Sequence, residues 1–99
     1  MTPAGPSLDY YFLTCPGPHR VDLSDCDATW DSVAYLRSAT YSEVSCNDDS
    51  STTMPCAVAS DSNSYIASAT ANGPALFWAG IGGYTPTDCG SFTLTATLH

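Results

Sequence analysis

Lysine is absent from this chain, and arginine occurs only twice, at Arg20 and Arg37, against ten acidic residues. The formal charge is −8 and the isoelectric point about 4.1. A surface of that sign repels phosphate backbones, which excludes nucleic acid as a partner. Anionic membranes are disfavoured for the same reason. No apolar run approaches the roughly 20 residues that a membrane-crossing helix needs, so membrane insertion is not expected either.

Other absences narrow the chemistry. There is no C-x-x-C pair and no histidine spaced as in a zinc site, since His19 and His99 lie far from any paired cysteines. No Gly-x-Ser-x-Gly elbow accompanies the serines, and glutamate is used once, at Glu43. A cleft with two catalytic carboxylates is hard to assemble from such a short chain. Gly80–Gly83 is followed by no lysine and sits in a strand-like setting, so it marks a bend or bulge rather than a phosphate loop. The chain therefore reads as a non-enzyme. Asn47, Asn63 and Asn72 all fail the N-glycosylation rule, while Ser50–Thr53 and the threonines near the end offer O-glycosylation sites.

What is present is serine and threonine, about a quarter of the chain, and five cysteines at 15, 26, 46, 56 and 89. Cysteine at that density in 99 residues reads as a disulfide framework, hence an extracellular or cell-surface location. Met1–Ser7 has neither the basic nor the apolar stretch of a secretory leader. Export would then rest on a leader already removed or on a longer secreted parent.

Residues 1–8 read as a proline-bounded linker or arm, and 9–99 as one domain. Strands are expected at Tyr10–Thr14, Arg20–Ser24, Ser32–Arg37, Glu43–Cys46, Tyr65–Ala71, Ala75–Ile81 and Ser91–Leu98. The last alternates over its whole length, with Phe92, Leu94, Ala96 and Leu98 facing inward. Pro16–Pro18 stops the first strand, Asn72–Pro74 forms a turn, and 47–64 is the longest loop. No helical period appears. Short strands with turn signals about every ten residues indicate an all-β sandwich or barrel. Its core is expected to contain Phe12, Val21, Leu23, Leu36, Ile66, Phe77, Ile81, Phe92 and Leu94, with Trp78.

Four segments in order resemble the bacterial pre-peptidase C-terminal (PPC) domain. They are Val21–Cys26 leading into Trp30–Leu36, Val44–Asp49 with its Asn-Asp-Asp turn, Cys56 ahead of Tyr65–Ile66, and Asn72–Trp78 through Gly83–Tyr84 to Gly90–Leu94. The likeness spans residues 10–98. Ser32 stands where threonine is usual, Gly82 replaces an acidic residue, and Cys15 and Cys89 are additions. The resemblance implies a jelly-roll-like β-sandwich of about seven to eight short antiparallel strands, stapled by disulfides, with an accessory rather than catalytic role. It also implies a Cys26–Cys56 bridge, leaving Cys46 unpaired; a local Cys46–Cys56 bridge with Cys26 left over is the rival. Cys15 is expected to meet Cys89, if the first strand lies beside the last. Each bridge would add about 2–4 kcal/mol.

Three functions follow as expectations. Asp31, Asn47, Asp48 and Asp49 supply hard oxygens suited to calcium, although Asx side chains also cap turns with no metal present. Trp30 is the candidate platform for a glycan, against the simpler role of a half-buried strand aromatic. Assembly with copies of itself, through the N-terminal arm or sheet edges, follows from the lack of lysine to blunt those edges.

Overall fold

The computed structural model describes residues 2–26, 28–48 and 63–99. Seven strands run β1 (Ser7–Gly17), β2 (Arg20–Cys26), β3 (Ser32–Ser38), β4 (Glu43–Asn47), β5 (Tyr65–Thr70), β6 (Gly73–Gly83) and β7 (Thr93–Leu98). They form two antiparallel sheets, ordered β1-β6-β3-β4 and β5-β2-β7. The pairing is nested: β3 with β4, β2 with β5, β1 with β6. β6 also pairs with β3, and β7 is added to the free side of β2.

Period-two alternation directs one face of each strand into the space between the sheets. Ala34 and Leu36 of β3 and Phe77 and Ala79 of β6 meet Val21 and Leu23 of β2 and Ile66 and Ala69 of β5. Phe12 packs against this cluster, its ring stacked on Phe77 at 5.7 Å. Each fully buried Leu, Ile or Phe there contributes roughly 1.5–3 kcal/mol by leaving water.

β3 is buried on both faces, because the outer face of its sheet is also covered. Gly80 lies directly across from Tyr35, and a Cβ there would collide with the phenol ring. Only glycine lets that ring lie flat on β6. Residues read as a free arm lie against their own sheet: Gly5 N–H donates to the Gly83 carbonyl at 2.9 Å, and Gly83 N–H donates to the Pro6 carbonyl at 3.1 Å. Ser7 and Leu8 already belong to β1. The arm is drawn in because the end of β6 would otherwise keep unpaired backbone groups.

Pro16–Pro18 does not stop the first strand early. β1 runs to Gly17 by way of a register shift after Thr14, with Gly17 at φ 113°. Nor is β7 inward-facing along its length. Phe92 and Leu94 are half-buried, and Ala96 and Leu98 are exposed. The second sheet has three strands against four, so β7 is an edge with too little opposite it to complete its burial.

The Cys15–Cys89 pairing within one molecule is overturned, and both thiols are free and exposed. β1 pairs with β6, not with the last strand. Cys89 shares a wall with Ser7 and Leu8 at the start of β1, whereas Cys15 lies at its far end. The eight residue steps from Ser7 to Cys15 span about 26 Å of extended chain, far beyond the Cα separation of about 7 Å that a disulfide tolerates. Cys46 is free and half-buried. A free Cys46 does not form the rival Cys46–Cys56 bridge, and the Cys26–Cys56 pairing rests on Cys56, which lies outside the described residues.

Candidate functional site

The end of the sandwich where β2, β4 and β7 meet the connecting loops carries Asp25, Asp31, Asp48 and Asp88, four of the seven acidic residues among those described. Asp25 is fully buried there. One carboxylate oxygen accepts the Ser64 N–H at 2.8 Å, and the other accepts the Ser32 hydroxyl. Ser64 Oγ lies 2.8 Å from the carbonyls of both Ser32 and Asp48. Burial pushes the Asp25 carboxyl above its ordinary range, against the opposing pull of these hydrogen bonds. The network ties β2, β3 and the start of β5 together. Hydroxyls face a carboxylate here, but both histidines sit at the opposite end, and no serine hydroxyl is hydrogen-bonded to an imidazole among the described residues.

Three of the four expected calcium ligands come to this same end. Asn47 Oδ1 accepts the Tyr65 N–H at 3.1 Å, the Asp48 carbonyl faces Ser64, and the Asp31 carbonyl accepts the Tyr84 N–H at 3.0 Å. Each therefore holds a loop or strand start in place. Among the described residues no three His, Cys, Asp or Glu side chains converge as a metal would need. Asp49 lies outside the described residues.

Trp30 is half-buried and turned inward. Its Nε1–H donates to the Ser91 carbonyl at 2.9 Å, and its ring meets Phe92 edge-on at 6.1 Å. Gly90, at φ 152°, lies so near that a Cβ would stand 2.8 Å from the indole. These contacts pin the β6–β7 loop to the sandwich and occupy much of the ring.

A cluster invisible to sequence pattern occupies the outer face of the four-stranded sheet. Asp9 accepts hydroxyl hydrogen bonds from both Tyr35 and Tyr41. The Arg37 guanidinium is sandwiched between the same two rings, 4.1 Å from one centroid and 4.3 Å from the other. Burial, followed by the Asp9 carboxylate, pushes the Tyr35 hydroxyl well above the usual phenol range. Beside them Trp78 meets Tyr11 and Tyr41 edge-on at 5.8 and 6.3 Å. The rows Asp9–Gly80–Tyr35 and Tyr11–Trp78–Arg37 run straight across three strands. A sequence reader needs the β1-β6-β3 register to see them.

These contacts fix β1 in place while leaving its other side open. β1 is an edge strand of eleven residues, and alternate residues turn their N–H and C=O groups away from β6. Leu8, Tyr10, Tyr11 and Leu13 are exposed along it, Tyr11 and Leu13 to 67% and 69%. Next to this edge the two sheets fail to close. A groove of about 370 Å³, lined chiefly by Tyr10, Phe12, Phe92, Leu94 and Ala96, opens between β1 and β7. The other edges differ. β4 has five residues and carries Glu43, β5 has an irregular register and a positive φ at Ser68, and β7 is six residues of mostly small side chains. Comparison with family models, curated proteins and solved structures finds no match to this chain.

Proposed function

We propose that this chain is a non-catalytic, extracellular β-sandwich module, similar to the PPC type, that associates with copies of itself by adding strands at the β1 edge. The nested pairing of β1 with β6, β2 with β5 and β3 with β4 supports reading the sandwich as a jelly roll. The observation that carries the function is β1: a long, apolar edge beside an unfilled apolar groove. A flat hydrophobic edge of that length is a template for another strand. Natural edges are usually blunted by lysine, and this chain has none.

A second copy fits this edge on charge. Two molecules of charge −8 repel, and they approach best where acid is scarcest. β1 carries one of the ten acidic residues, Asp9, and two tyrosine hydroxyls already solvate it. The opposing surface on a second β1 is equally apolar, so the contact is self-complementary, as a two-fold dimer requires.

Sedimentation velocity under reducing conditions tests this. Wild type should form dimers or larger species in the micromolar range, while Leu13→Lys and Tyr11→Lys, both exposed and outside the core, should sediment as folded 10.4 kDa monomers. A wild type that stays monomeric at every concentration, or variants that associate as well as it does, would remove the proposal.

A further inference from the structure

The two exposed thiols lie at opposite ends of the sandwich, Cys15 near the end of β1 and Cys89 beside the start of the same strand. The fold cannot bring them together within one molecule. Any bridge between them must therefore join two molecules. Because each molecule presents one of each, the bond repeats in one direction. We propose that copies of this chain join end to end through Cys15–Cys89 disulfides, giving a covalent, head-to-tail filament.

Charge supports the same polarity. His19, Arg20 and His99, three of the four basic side chains in the sequence, gather at the Cys15 end, with Asp22 there 2.8 Å from His99 Nε2. There the His19 Nε2–H donates to the Cys15 carbonyl at 3.0 Å. Arg20 is held by the Ser68 carbonyl and the Thr70 hydroxyl. At the Cys89 end lie Asp25, Asp31, Asp48 and Asp88, with no basic side chain among the described residues. Basic groups at the Cys15 end offset Asp22, so that end does not repel the acidic one, whereas two Cys89 ends repel; charge therefore favours Cys15–Cys89 over Cys89–Cys89 pairing. A contact between two different patches does not close on itself and propagates as an open chain.

The bond needs an oxidant, and a small-molecule disulfide serves. Two thiols lose two protons and two electrons as one S–S bond forms, and the small disulfide takes up both and leaves as two thiols. This step is independent of the lateral β1 contact, so Leu13→Lys should form the same covalent chains. Lateral and axial contacts together would build a layer rather than a dimer.

The test mixes folded protein grown on ¹⁴N with protein grown on ¹⁵N, adds oxidised glutathione, and maps peptides. Cleavage after Arg20 and Arg37, then before the aspartates, separates Cys46 (residues 38–47) and Cys56 (49–60) from the two peptides that matter, Cys15 in 9–20 and Cys89 in 88–99. We expect these two peptides linked, with mixed labels at the random frequency, and a ladder of bands on a non-reducing denaturing gel. Cys15→Ser and Cys89→Ser should each lose the long ladder, and their mixture should stop at a dimer linked through this pair. Linkage confined to same-label peptides would show an intramolecular bridge and overturn the proposal. Absence of a Cys15–Cys89 linkage, or products built instead from Cys15–Cys15 and Cys89–Cys89 bonds, would overturn it as well. Loss of the lateral contact alone would register only in sedimentation under reductant.

Discussion

Asp25 is the only buried acidic side chain among the described residues, and its chemistry sets a pH dependence. Burial raises its folded-state pKa above the 3.8 of a free aspartate. A raised value means that the folded state holds the proton more tightly than the unfolded chain does. The associated stability is complete below 3.8 and is lost as pH rises through the raised value. Asp25→Asn keeps an oxygen for the Ser64 N–H and a polar group toward Ser32, but cannot ionise. The difference in urea midpoint between variant and wild type should therefore grow in the variant's favour as pH rises from 3.8. A difference that stays flat across that range would show that Asp25 does not titrate in this way. Asp22 works in the opposite sense, because its hydrogen bond from His99 lowers its pKa. That contribution is shared by both proteins and cancels in the comparison. None of this was legible from spacing. Asp25, Asp27 and Asp31 lie close together in the sequence and read as a solvated acidic turn. Asp25 is instead in β2, and its burial depends on Ser32 and Ser64 arriving from elsewhere in the chain.

The seven strands were legible because alternation and turn residues act locally, and each expected segment lies within or overlaps an observed strand. Their edges were not, since neighbouring strands decide where an edge falls. Phe92–Leu98 alternates as cleanly as any core strand, yet β7 has no fourth strand beside it and stays largely exposed. Trp30 shows the same limit for a site. An indole in an acidic turn reads as a binding platform, but Gly90 and Ser91 come from sixty residues away to receive it. Its assignment as the pin of the loop between β6 and β7 has a measurable consequence. Trp30→Ala should lower stability by roughly 1–3 kcal/mol, below the 3–5 typical of fully buried aromatics. Amide exchange should accelerate across residues 84–92 while β3 and β6 stay protected. Uniform acceleration through both sheets would instead make Trp30 a core residue.

The whole molecule is wound from distant pairings: Ser7 meets Gly82, and Thr14 meets Ala75. Closing such long loops must precede the contacts that stabilise them, so refolding should take milliseconds to seconds. Stopped-flow tryptophan fluorescence under reducing conditions checks this, and relaxation in microseconds would contradict the nested topology. At this scale the division between sequence and structure is clear. Composition by itself determined the charge, the shortage of basic residues, the all-β class and the position of each strand, because those depend on residue type and on neighbours along the chain. Tertiary structure alone decided which strands became edges, that Asp9, Tyr35, Tyr41 and Arg37 form one cluster, and that Cys15 and Cys89 stand apart. Those outcomes depend on register across sheets, where residues sixty or more positions apart become nearest neighbours.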